Sequence, residues 1–371
     1  MKETAIICIT LCISCVLSVT GINAKTFKSK VHNFKVDVLT DQLDAPWGLV
    51  LLPDGGMLIT EKHGALRHFK DGRLSGPLSG TPEVWDRGQG GLLDVAIDPD
   101  FDSNRQIYLT FSEPGDGGAG TAVARATYAG KSLEKTRVIF SQSIKTTSGY
   151  HFGSRIAFAP DGTLFFTIGD RGKRPRAQDA QDHAGSVLRI NRDGSVPVDN
   201  QFAEGKKALP EIWSIGHRNS QGIDIHPVTG EVWTVSHGAR GGDEINKPEA
   251  GKNYGWPVIS YGRHYSGGHI GEGTTKKGME QPRYFWDPSI APSSITFYTG
   301  DLFPNWKGDI FVSALAGELL SRLDMDGDKI LGEELLLEGE YGRIRRVKTG
   351  QDGALYAITD QGELLLISPE G

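Results

Sequence analysis

A histidine set among glycines, Gly149-Tyr150-His151-Phe152-Gly153-Ser154-Arg155, is followed one hairpin later by Ile168-Gly169-Asp170-Arg171-Gly172. These residue types suit a general base, His151, oriented by a carboxylate, Asp170. An aspartate accepting from one ring nitrogen leaves the other free to take a substrate proton. A turn histidine and a hairpin-capping aspartate would read the same way. Gly216-His217-Arg218-Asn219-Ser220-Gln221-Gly222 places a guanidinium beside an amide, which suits a planar ligand with carbonyl and carboxylate oxygens; a satisfied loop network is the alternative. Arg343-Ile344-Arg345 alternates as a strand does, so both guanidiniums share a face that meets either a dianion or water.

The run Ser236-His237-Gly238-Ala239-Arg240-Gly241-Gly242-Asp243-Glu244-Ile245-Asn246, followed by Asn253-Tyr254-Gly255-Trp256-Pro257, can turn carbonyls toward one point and adds carboxylates. Hard oxygen donors of that kind suit calcium rather than zinc, and a long loop capped by acidic side chains is the alternative. Asp324-Met325-Asp326-Gly327-Asp328 reads as a hairpin turn, because its glycine comes too early for a calcium loop and Leu335 stands where the bidentate glutamate belongs. No dinucleotide fingerprint, phosphate-binding loop or His-Glu-x-x-His occurs.

The elements that must position these residues are short strands. The 49 glycines and 18 prolines of the 371 residues are spread along the chain, as tight turns between strands require. A unit of strand, Pro-Asp or Asp-Gly turn and second strand recurs six times. It begins at Trp47, Leu93, Ile156, Ile223, Ile295 and Val347. Six such units, spaced by roughly 45 to 70 residues, predict an all-β fold, a six-bladed β-propeller of four-stranded antiparallel blades. Outer hairpins are expected at Ala65 to Phe69, Ser186 to Asn191 and Leu320 to Asp324. Closure is expected by pairing Phe34 to Thr40 with Glu363 to Ser368.

Residues 1–24 read as a cleaved signal peptide, with Lys2 ahead of an apolar run from Ala5 to Val19 and cleavage after Ala24. Residues 25–371 then form a single catalytic propeller in the periplasm or outside the cell. Cys8, Cys12 and Cys15, the three cysteines, fall within the signal, so the mature chain would carry no thiolate nucleophile and no disulfide. A net charge of −6 without a polybasic block argues against nucleic acid or an anionic membrane, and favours a small-molecule ligand.

In order along the chain, Trp47-Gly48, Gly88-Gln89-Gly90-Gly91, Tyr150-His151-Phe152-Gly153, Ile168-Gly169-Asp170, Gly216-His217-Arg218-Asn219, Gly242-Asp243-Glu244-Ile245-Asn246, Asn253-Tyr254-Gly255-Trp256-Pro257 and Arg343-Ile344-Arg345 resemble the soluble quinoprotein sugar dehydrogenases. Among these the chain is most similar to the PQQ-dependent aldose sugar dehydrogenases of the glucose/sorbosone dehydrogenase family. The resemblance implies pyrroloquinoline quinone (PQQ) over the channel mouth, calcium (Ca2+) beneath it, and oxidation of an aldose to its lactone. It implies that His151 is the base and Asp170 its orienter. Gln89, Arg218 and Asn219 would contact quinone and sugar, Tyr265 and Trp286 would line the pocket, and Arg343 and Arg345 would pair with cofactor carboxylates. It further assigns the carbonyls of Gly238 and Ala239 to the PQQ-bound calcium, and Glu244 and Tyr254 to a second one.

Two positions depart from the family pattern: Ala316 stands where a lysine usually pairs with PQQ, and Ala239 where a proline is usual. Arg171, Arg174, Arg176, Lys307 and Gln178 are the expected substitutes for the lysine. A soluble electron acceptor and a monomer or homodimer are expected. The alternatives are a non-catalytic propeller that binds carbohydrate or protein, and a calcium-dependent lactonase.

Overall fold

Strand-turn-strand units of this composition fold as hairpins when the turn can adopt a left-handed residue, and the recurring unit supplies a glycine there. Gly55, Gly162 and Gly353 close three of the inner hairpins at φ of 80°, 81° and 82°, a region that penalises any Cβ. The computed structural model describes residues 22–370. Six antiparallel sheets result, each running outward from its first strand.

The first strands are Pro46–Leu51, Leu92–Ile97, Ile156–Phe158, Ser220–Ile225, Pro292–Phe297 and Ile344–Thr349. Each touches the next, and the last touches the first, so they line a closed ring. This is the expected six-bladed β-propeller, and blades one to five have four strands each. Helix is confined to Phe101–Asn104 and two 3-10 turns, Arg174–Gln178 and Pro304–Trp306, among the described residues. None is long and apolar enough to cross a membrane.

Closure follows the expected pairing. Strand Asn33–Thr40 joins Leu364–Pro369 with Val36 opposite Ile367 and Val38 opposite Leu365. Blade six is larger than expected, because Ile22–Lys28 adds a fifth strand outside Asn33–Thr40. The expected Ala24 cleavage point falls inside this strand, and the rest of the signal lies outside the described residues. The acidic run at Asp326 is a hairpin turn, with Asp326 opposite Lys329.

The core lies between blades rather than at one centre, since each sheet buries both faces against its neighbours. Leu58, Leu92, Val95 and Leu109 fill the space between blades one and two; Trp233, Val235, Ile295 and Val312 fill that between four and five. At the seam of blades five and six, Trp306 packs among Phe34, Phe303 and Phe311.

The channel itself is closed by a side chain. Arg155, directly before the inner strand of blade three, is fully buried, and its guanidinium reaches every other blade. It donates to Gln221 O at 2.7 Å, Ser293 O at 2.8 Å, Arg345 O at 2.9 Å, Trp47 O at 3.2 Å and Asp94 Oδ1 at 3.2 Å. It also lies over the Trp47 ring, 3.8 Å from the centroid. Burial lowers the Arg155 pKa and Arg346 lowers it further, while Asp94 opposes both. The planar fork, with five donors, suits this convergence of acceptors.

Candidate active site

The loops entering the inner strands of blades two, three and four meet above Arg155. Gly169 ends the second strand of blade three where an added Cβ would lie 2.4 Å from His151 O and 2.8 Å from Asn219 Oδ1. Only a residue without a side chain lets that strand pass so close to the histidine turn. His151 itself holds φ at 56°, an unfavourable backbone for a non-glycine residue that its surroundings must enforce.

Two bonds fix the histidine from either side. The His151 Nδ1 lies 2.6 Å from Asp170 Oδ1, and the His151 backbone N–H donates to Gln89 Oε1 at 2.8 Å. A carboxylate accepts only, so Nδ1 carries the proton and Nε2 is the acceptor. Asp170 is 1% exposed and takes further bonds from Trp256 Nε1 at 2.8 Å and the Gly172 N–H at 2.8 Å. Burial pushes its pKa up, but the His151 bond and charge, with Trp256 and Gly172, outweigh it and hold the carboxyl below its ordinary value. An imidazole held this way by an ionised carboxylate can accept a proton at Nε2.

Two adjoining cavities lie beside this pair. One, of about 260 Å3, is lined by Gln89, Asn219, Arg343 and Arg345 together with Trp47 and Lys62. The other, of about 760 Å3, is lined by Gly238, Ala239, Tyr265 and Ala316. His237 and Ala291 belong to both walls. Arg218 lines neither of them but a small cavity with Glu244 and Tyr254, its guanidinium 3.3 Å from His237 O and 5.4 Å from the centre of the Trp256 ring. Burial lowers the Arg218 pKa, against Asp170 and Tyr265.

Arg343 and Arg345 do share a face, and both bond one carboxylate, Asp360, that no motif singled out. Arg343 Nε donates to Asp360 Oδ2 at 2.9 Å, and Arg345 Nε and Nη2 donate to its two oxygens at 2.8 and 2.9 Å. Burial raises the Asp360 pKa, but Arg345 and Arg343 together draw it below its usual value. Two guanidiniums against one carboxylate leave a net positive charge toward the cavity, which suits an anionic group.

Trp286 does not join the site. It sits in the outer strand of blade four, Tyr284–Trp286, packed with Trp233 and Ile295, and its Nε1 donates to Glu333 at 2.7 Å. An indole buried in an interblade core cannot also face the channel mouth. Tyr265 is on the wall of the larger cavity, 70% exposed.

The expected substitutes for the lysine are occupied elsewhere. Arg171 is buried against Phe152 and donates to Ser148 O at 2.7 Å and to Tyr150 O. Arg176 is paired with Asp182 and Lys307 with Asp301, Gln178 donates to Trp256 O at 2.7 Å, and Arg174 meets His264 Nδ1 at 2.9 Å. None of them lines either cavity.

Gly238 and Ala239 form part of the larger cavity, held there by an aspartate whose role the sequence did not reveal. Asp243 accepts from the Gly238 N–H at 2.7 Å, Ser289 Oγ at 2.7 Å and the Ala291 N–H at 2.9 Å, tying both cavity loops to blade four. Glu244 and Tyr254 meet around a third, small cavity with Ser236 and Asn246. Burial raises the Glu244 carboxyl to about 7, and the buried Asn246 Oδ1 has no hydrogen-bond donor. One carboxylate with neutral oxygens is a donor set suited to a hard cation; no group of three or more His, Cys, Asp or Glu able to hold a metal occurs among the described residues.

The glucose/sorbosone dehydrogenase family model matches residues 43–367. The aldose sugar dehydrogenase YliI of Escherichia coli K12 is 46% identical over 343 residues, covering 90% of this chain and 92% of that protein. The crystal structure of the soluble aldose sugar dehydrogenase from Escherichia coli, in its apo-form, superposes with a TM-score of 0.88 at 44% identity, covering 91% of this chain and 100% of that one. The PQQ-bound aldose sugar dehydrogenase from Streptomyces coelicolor superposes with a TM-score of 0.75 at 28% identity, covering 90% and 98%. With a match across nearly all of the propeller and its loops, the chain belongs to the glucose/sorbosone dehydrogenase family.

Proposed function

We propose that this protein oxidises aldose sugars at the anomeric carbon to their lactones, using PQQ and calcium, in the periplasm or outside the cell, and passes the electrons to a soluble acceptor. The observation that carries the reading is the His151–Asp170 pair beside a cavity with a net cationic wall. The PQQ-bound relative adds support. Bound PQQ supplies a two-electron acceptor for the anomeric hydride. His151 Nε2 takes the anomeric hydroxyl proton as the lactone carbonyl forms, and Asp170 stabilises the imidazolium through Nδ1–H. Arg343 and Arg345 hold carboxylate groups of the cofactor, and Arg218 and Asn219 orient cofactor and sugar at the reacting edge. Gly238 and Ala239 would hold the cofactor's calcium through their carbonyls.

The test is reconstitution. Purified protein given PQQ and calcium is expected to reduce an artificial electron acceptor with glucose and other aldoses, and to retain quinone absorbance after desalting. Absence of both signals would sink the reading. Lactone hydrolysis without PQQ would instead select the lactonase alternative, and neither activity would leave the binding propeller.

The second calcium has its own readout. Glu244 and Tyr254 are proposed to hold it in the small cavity, so calcium should raise Tm by an amount set by mass action, about 2.7 kcal/mol of stabilisation at a hundredfold excess over Kd. Glu244→Gln should remove much of that rise. An equal calcium shift in the variant would place the ion elsewhere.

A further inference from the structure

Arg240 and Arg263 lie opposite each other in a short backbone pairing at the rim of the larger cavity. The Arg240 N–H donates to Arg263 O at 3.1 Å and the Arg263 N–H to Arg240 O at 3.0 Å. Residues paired in this way present their side chains on one side, with Cβ atoms roughly 5 Å apart. Both residues line the cavity that Ala316 and Tyr265 also line. Like charges set directly opposite repel. Here neither guanidinium makes an ion pair or a side-chain hydrogen bond among the described residues. The contrast with their neighbours is plain, since Arg343, Arg345 and Arg176 are all bound to aspartates. Asp287 is the single acidic residue of that wall, and it pairs with neither.

The remainder of the wall is neutral where a ligand's rings would lie: Gly238, Ala239, Ala291 and Ala316. This cavity adjoins the one lined by Arg343 and Arg345, the two having His237 and Ala291 in common. A flat ligand bearing carboxylates at separated edges would thus meet one arginine pair at each end. We propose that Arg240 and Arg263 form a carboxylate clamp for the PQQ cofactor, supplying from the rim the positive charge that Ala316 does not. The proposal rests on the PQQ reading above.

The experiment is an equilibrium titration of PQQ into the calcium-loaded protein, followed by quinone absorbance and tryptophan fluorescence, for the parent, Arg240→Ala, Arg263→Ala and the double variant. Both side chains are exposed, so the thermal unfolding of each variant should match the parent. Losing a charge-assisted contact is expected to weaken PQQ about 10- to 100-fold in each single variant. Introducing Ala316→Lys into Arg263→Ala should recover part of the affinity, because the new ammonium enters the same cavity. Tight PQQ binding that survives in the double variant overturns the clamp and leaves the function standing. So does unchanged PQQ affinity with a selective loss of turnover on uronic acids, which would assign the pair to a substrate carboxylate. A parent that does not bind PQQ overturns both the clamp and the function.

Discussion

Replacing His151 with alanine is expected to lower kcat for aldose oxidation by about 10²- to 10⁴-fold, with PQQ affinity and Tm held near the parent values. The reason lies in how little else depends on the imidazole. Its Nδ1 meets Asp170, and the bond to Gln89 comes from the backbone N–H, which alanine retains. Asp170 loses one of three donors and keeps Trp256 Nε1 and the Gly172 N–H. A base that acts in the transition state should also cost kcat and kcat/KM alike, rather than KM alone. Rates measured with and without excess sugar separate these cases. A variant with full kcat would remove His151 from the chemistry and leave the site a binding surface.

The second large effect belongs to stability. Arg155→Met should destabilise the fold by ~3–5 kcal/mol, the cost typical of removing one partner of a buried ion pair. Methionine fills much of the volume but offers no donors, so the carbonyls of Trp47, Gln221, Ser293 and Arg345 each lose one, and Asp94 retains Arg346 as its one charged partner, at 3.2 Å, beside the Ile156 N–H, also at 3.2 Å. Because Trp47, Gln221 and Arg345 also line the smaller cavity, PQQ affinity should fall with Tm rather than independently of it. Chemical denaturation of the parent and variant checks the magnitude. An Arg155→Met protein as stable as the parent would mean that the ring closes without this contact.

How much of this was legible beforehand follows from the range of each interaction. Strand, turn and strand are local, so the six hairpin units could be read from alternation and from Pro-Asp and Asp-Gly turns, and the structure repeats them in place. His151 and Asp170 are separated by one hairpin, and a hairpin's register is set by its own turn, so their meeting was readable too. Their third partner, Trp256, comes from a different blade, 86 residues beyond Asp170. Trp286, which the family resemblance put on the pocket wall, lies instead in an outer strand that faces the next blade, with its indole in the core. Ala316 was readable as a missing cation. Which cation faces the same cavity was not, and Arg171, Arg176 and Lys307 proved to be bound to nearer acceptors.

By itself, then, the sequence determined the number of blades, the strand that closes the ring and the meeting of His151 with Asp170. Only the tertiary structure decided that Arg155 bolts six blades at one guanidinium, that Asp360 holds the arginine pair, and that Arg240 and Arg263 face the cavity beside Ala316. Those contacts join residues up to 190 positions apart. Nothing local selects one distant acceptor over another until the ring has closed and placed it within hydrogen-bond reach.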